Sequence, residues 1–172
     1  MVLVIECIII CILFSLGIFI PLYKNPVGQI MSYPKKIRER VQSLPQYKDC
    51  IKKKEKFHLL IKMISIFIFA LILYIIAYMS GAKTFIQVFK YVFTIFFVVN
   101  LYDLLIMDLL IFRNIKKFRI PGTEDMDKEY KECWHHIRGF FIGIGIGIIV
   151  SLISILYIQI FNIIYKNYNL SI

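Results

Sequence analysis

Four stretches of this chain, 2–23, 59–80, 84–112 and 137–165, are almost wholly apolar and long enough to cross a bilayer. A hydrocarbon core about 30 Å thick takes about 20 helical residues. Lipid offers no water to backbone N–H and C=O groups, so a spanning segment must pair its own, as a helix does. A β-barrel would need short segments of alternating polarity, and runs such as IFIFALILYIIAYM do not alternate. The expectation is all-α: a polytopic integral membrane protein with four transmembrane helices in a single transmembrane domain over 1–172. Composition agrees, since 59% of the residues are hydrophobic against roughly 45–50% apolar in soluble domains. The third and fourth segments exceed the length needed, so tilt or protrusion is expected. The first has no basic leader, carries Glu6 and ends in PLYKNP, so it reads as a retained helix rather than a signal peptide.

A net charge of +10 on a soluble domain would suggest nucleic acid. Here 11 of the 21 Lys and Arg residues fall from Lys24 to Lys62 and 7 from Arg113 to Arg138, leaving Lys83, Lys90 and Lys166. Such residues are retained on the cytoplasmic side of a membrane. Loops 24–58 and 113–136 are therefore expected inside and both termini outside, in a multi-pass protein of the cell membrane. Nucleic acid is not an expected partner. The first loop's aromatics, Tyr33, Tyr47 and Phe57, are not interleaved with its basic run as a stacking platform requires.

Within the first loop, Pro26, Pro34 and Pro45 frame a short helix over 35–44. Ile37, Val41 and Leu44 share one face of it and basic residues the other. That pattern suits an interfacial helix on the anionic inner leaflet; a solvated basic loop placed by topology alone is the bland alternative. In the second inner loop Pro121 and Gly122 mark a turn. Thr123 or Asp125 then suits the N-cap of a helix with Glu124, Asp125 and Asp127 in its first turn. Nothing breaks the chain before Gly139, so the fourth helix is expected to start in the cytosol and run straight into the membrane.

Chemistry is concentrated in NLYDLLIMDLLIF, residues 100–112. A carboxylate at the bilayer centre costs about 2.5–3.5 kcal/mol on insertion scales, so Asp103 and Asp108 need a reason to be there. On an α-helix Asn100 and Asp103 share a face, whereas Asp108 lies about 140° from Asp103. The two carboxylates should then meet different neighbours. Counted from Arg113, Asp108 is about 7–8 Å deep and Asp103 about 15 Å, near mid-membrane. On the fourth segment Gly139, Gly143, Gly147 and Ser151 recur every four residues, a small-residue ridge that lets another helix approach closely. The ridge specifies packing and carries no chemistry. With helix three in that groove, Asp108 falls near Arg138 and Gly139, and Asp103 near Gly143 and Gly145. Arg138, His135 or His136 can then compensate a carboxylate; Asp108, close to the interface, can also pair with Arg113. Asn100, Asp103, Asp108, His135, His136 and Arg138 form the expected polar cluster, with Asp103 held by polar partners in the bundle interior.

Cys50 and Cys133 fall on the reducing side, where disulfides are rare, and Cys7 and Cys11 read as small apolar packers. Cys133, His135 and His136 with Cys50 or His58 fit no zinc spacing, so neither metal nor cofactor is expected. Phosphate-binding loops, nucleophile elbows and metalloprotease motifs do not occur, no internal repeat relates the halves, and no catalytic residue is assigned. Two function classes follow. The first is a small non-enzymatic transport, channel or regulatory component, working as a homo-oligomer or with partner subunits, with Asn100 and Asp103 on a cation or proton route. The second is a membrane-embedded enzyme acting on a lipid or isoprenoid headgroup at the cytoplasmic interface. Asp108, Glu124, His135 and His136 would supply its acid–base groups or metal ligands, and Arg38 and Arg40 would hold a phosphate. The first is preferred, because carboxylates at two depths do not make one reaction centre.

Overall fold

The computed structural model describes residues 1–169, apart from the side chains of 49–50, 52–58, 165 and 168–169. The described chain is helical, without strands. Helices α1 (Val2–Lys24), α2 (Lys35–Ser43), α3 (Lys48–Met79), α4 (Phe85–Tyr102), α5 (Asp127–Tyr130) and α6 (Cys133–Asn169) are joined by short 3-10 turns, and α4 continues as a π-helix over Asp103–Phe112. Four of these helical stretches, on α1, α3, α4 and α6, are long and apolar enough to cross a membrane. Cys50 and His58 lie outside the described side chains.

The α3–α4 turn is built locally. Gly81 takes φ +96°, a left-handed conformation that a Cβ would disfavour. Thr84 then caps α4 in a capping box: Gln87 N–H donates to Thr84 Oγ1 at 3.3 Å, and Thr84 N–H donates to Gln87 Oε1 at 3.1 Å. Helices α3 and α4 thus return antiparallel through a short turn.

Helix α4 is the centre of the bundle, packing against α1, α3 and α6, while α3 also packs along α6. Their shared core contains Ala70, Leu73 and Ala77 of α3, Val88, Val92, Ile95 and Val99 of α4, and Val150 and Ile158 of α6. In lipid, helices associate through close packing and interhelical hydrogen bonds rather than hydrophobic burial. Both occur here. Gly147 makes room for the Phe96 ring, and Ser154 Oγ donates across the interface to Ala70 O at 3.0 Å. Helix α1 is tied on at the turn end by Glu6, whose carboxylate accepts from Ser80 Oγ at 2.5 Å and from the Tyr91 hydroxyl.

A second core lies at the opposite, basic end. Ile30, Tyr33, Ile37, Val41, Phe118, Ile120 and Tyr130 are almost wholly buried together. Tyr33 Oη donates to Phe118 O at 2.6 Å. Thr123 Oγ1 donates to Ile120 O at 2.6 Å, so the Tyr130 hydroxyl must be the donor in its 2.7 Å bond to Thr123; it also accepts from Ile120 N–H. Both loops therefore fold into one cap.

Three expectations change here. Helix α2 forms where predicted, but Ile37 and Val41 are 0% exposed within the cap, so its apolar face is occupied by protein and cannot lie on a leaflet. Thr123 caps no helix, because its hydroxyl is bonded to Ile120 O. The following helix is not continuous either: α5 ends at Tyr130 and α6 starts at Cys133, a break that lets Tyr130 turn into the cap.

Candidate functional site

The π-helix at the end of α4 organises the polar residues. Its i→i+5 bonding stacks residues five apart instead of four, which moves Asp103 and Asp108 toward one side. The α-helical angle that separated them in the sequence reading does not apply. Both line a small cavity of about 140 Å³ at the junction of bundle and cap, with Gln29, Ser32, Tyr33 and His136. His136 is 5% exposed, and its Nδ1 lies 3.0 Å from Asp108 Oδ2. Its Nε2 is buried without a partner among the described residues. The phenol of Tyr33 stays protonated, since burial pushes its pKa well above the ordinary value.

Asp103 differs from Asp108. Among the described residues no hydrogen bond or ion pair reaches it, although it feels the like charge of Asp108 and the imidazole of His136. It also lines a second, larger and partly open cavity of about 610 Å³, lined by α3, α4 and α6 with Phe14 of α1. That cavity is apolar along Ile66, Phe69, Ile72, Phe96, Ile146 and Val150, and polar at its basic end, where Lys62, Ser65, Asn100 and Asp103 gather. Asp103 is the residue common to both cavities.

The register of α4 on α6 is shifted from the expected one. Asn100, not Asp103, sits at Gly143: its Nδ2 donates to Phe140 O at 3.0 Å, and a Cβ at 143 would lie 2.2 Å from its Oδ1. The small amide fits this notch and satisfies a backbone carbonyl, which fixes the pairing. Gly147 and Ser151 continue the ridge inside the bundle, with Ser151 Oγ donating to Gly147 O at 2.8 Å, but Gly139 has nothing within 4 Å of where a Cβ would be. The groove therefore starts one turn later than the glycine spacing suggested. Arg138 is exposed and forms no ion pair among the described residues. Trp134 is exposed beside it, and His135 Nε2 lies 3.1 Å from Ser32 O rather than near a carboxylate. Arg113 does not pair with Asp108; its Nε is buried without a partner.

Asp103 is about 27 Å along the helix from Phe85, toward the capped end of α4. Beyond it, Ile111 and Phe112 pack into the cap, with the Phe112 ring 5.0 Å from that of Tyr33. The surplus length of the third apolar segment is taken up there.

Cys7 and Cys11 are buried packers, and no group of His, Cys, Asp and Glu among the described residues is arranged to hold a metal ion. Sequence reasoning missed Gln29, Ser32, Lys62 and Ser65 as lining residues and the Glu6 clamp. Lys62, a cation already inside an apolar segment, was a legible signal; the loop residues carried none. Comparison with protein-family models, curated proteins and solved structures finds no match.

Proposed function

We propose that this protein spans a cell membrane four times with its basic cap in the cytoplasm, and that it is a small non-enzymatic transport or regulatory component that takes an amphiphile from the inner leaflet. One observation carries the reading: a carboxylate without a partner among the described residues stands where a partly open apolar cavity meets a more polar one. Pockets of about 300–1,000 Å³ lined mainly by apolar groups with a few placed polar ones are typical ligand sites, and the larger cavity has that size and pattern. An ionisable residue in a bundle interior is a functional residue by default. A route for ions through one copy is less well supported, because beyond Asn100 the interior is Val99, Ile95, Val92 and Leu73, and the hydroxyls of Ser151 and Ser154 are bonded to backbone carbonyls. With the apolar face of α2 inside the cap, exposed Lys35, Lys36 and Arg40 are left to meet anionic headgroups.

Purified protein tests this. Mass spectrometry of co-purified small molecules should find an amphiphile in stoichiometric amount, and Ile66→Trp, which fills the larger cavity, should remove it. Protein that carries none and shows no response to Ile66→Trp would contradict the reading.

A second reading is favoured by one feature. Asp108 holds His136 at Nδ1 and leaves Nε2 free, the arrangement that orients an imidazole as a general base. A membrane enzyme acting on a lipid headgroup would use that pair, and its product would disappear in His136→Gln.

A further inference from the structure

We infer that the larger cavity is a site for a phospholipid with a primary ammonium headgroup, its ammonium at Asp103, its phosphate at Lys62, and an acyl chain along the apolar wall. The inference rests on the amphiphile reading above and specifies which amphiphile.

Charge arrangement carries it. Asp103 and Lys62 line the same end of one cavity, yet among the described residues neither is in an ion pair. Helices α3 and α6 run away from the basic end and α4 runs toward it, so Lys62, Asp103 and Gly143 mark the basic end of the cavity and Ile72, Phe96 and Val150 its far end. From Lys62 to Ile72 the wall extends about 15 Å at 1.5 Å per residue. Polar side chains are absent from that far end among the described lining residues. A carboxylate and a lysine facing one mouth, with a long apolar wall behind them, complement a zwitterionic head and a chain. An anionic lipid would satisfy Lys62 and bring a second negative charge toward Asp103. A fatty amine would satisfy Asp103 and leave Lys62 unmatched.

The choice among zwitterions follows from donors. A primary ammonium has three N–H groups, and two residues at the same mouth carry acceptors for them, the carboxylate of Asp103 and the hydroxyl of Ser65. A trimethylammonium offers no N–H to either of them.

The test uses the full chain in detergent with phosphatidylethanolamine, phosphatidylcholine and phosphatidylglycerol of matched chains, read by native mass spectrometry. Wild-type protein should retain phosphatidylethanolamine most strongly. Asp103→Asn, nearly isosteric, should lower its affinity about tenfold, the loss of one charge-assisted hydrogen bond, and bring it level with phosphatidylcholine. Asp103→Glu should preserve the order. Lys62→Gln should weaken both zwitterionic lipids alike, since both carry the phosphate. Lipid bound without headgroup preference, a preference for phosphatidylglycerol, or an order unchanged in Asp103→Asn would overturn the inference while leaving the amphiphile reading in place. Loss of all bound lipid in Ile66→Trp and Ile72→Trp is the expected control. Lipid binding indifferent to both would place the lipid elsewhere and overturn the reading together with the inference.

Discussion

Asn100 occupies the space that Gly143 leaves open: its amide donates to Phe140 O, and a Cβ at 143 would lie 2.2 Å from its Oδ1. This single contact sets the register of α4 on α6, and with it the position of every polar residue that follows.

Gly143→Ala should therefore destabilise the bundle. The amide cannot swing away without losing its bond to Phe140, so the helices must part; overpacking of this kind costs about 1–3 kcal/mol. Gly139→Ala and Gly145→Ala meet nothing within 4 Å and should leave stability unchanged or slightly higher. Thermal unfolding in detergent compares the three, and equal midpoints would rule out the register.

The two aspartates should respond oppositely to Leu. Asp108→Leu leaves His136 Nδ1 buried and unpaired, a loss of about 1–3 kcal/mol. Asp103→Leu strands no partner and removes a desolvated carboxylate, so folding should be as stable as wild type or more so, while the ligand is lost. A residue kept against stability is what a binding role implies. Asp103→Leu protein as destabilised as Asp108→Leu would mean that the residue is a structural one.

Much of this was legible in the sequence, and the rest failed for identifiable reasons. Four apolar segments and their antiparallel return at Gly81 follow from length and turn chemistry, which are local properties. The ridge of Gly143, Gly147 and Ser151 was legible because small residues every four positions mean close approach in any α-helix. Asp103 and Asp108 were misplaced on the helix because the residue type does not announce a π-helix, although a spacing of five in an otherwise apolar run matches its period. The cap was not legible: Ile37 and Val41 make the same pattern whether they meet lipid or Tyr33, and only the tertiary partner decides.

Alkaline pH should weaken the cap. Burial raises the Tyr33 phenol above its ordinary value of 10.0, so the folded protein holds that proton more tightly than the unfolded chain. Its contribution is fully present below about pH 10, where the unfolded tyrosine is protonated, and is lost as pH rises above it. Tyr33→Phe should lower stability by about 1–3 kcal/mol at neutral pH, through the unsatisfied Phe118 carbonyl, and should flatten the alkaline decline. Urea unfolding at several pH values is the check.

Topology is open to a direct assay. With 18 of 21 basic residues between 24 and 62 or between 113 and 138, a membrane-impermeant maleimide should leave Cys133 unmodified in intact cells and label it after permeabilisation. Cys7 and Cys11 are buried and should stay unlabelled in both. Labelling of Cys133 in intact cells would invert the orientation.

The most direct measurement asks whether Asp103 is free and reachable from the apolar side. Dicyclohexylcarbodiimide, an apolar reagent, forms adducts with carboxyl groups that it reaches from lipid, and peptide mass spectrometry locates them. The adduct should form at Asp103 and spare Asp108 and Glu6, whose oxygens already hold His136, Ser80 and Tyr91. Dodecyltrimethylammonium, whose quaternary nitrogen cannot attack the activated carboxyl, should slow it when seated in the same cavity. Modification of Asp108 or Glu6 in preference to Asp103, or of Asp103 at a rate that dodecyltrimethylammonium leaves unchanged, would contradict the account.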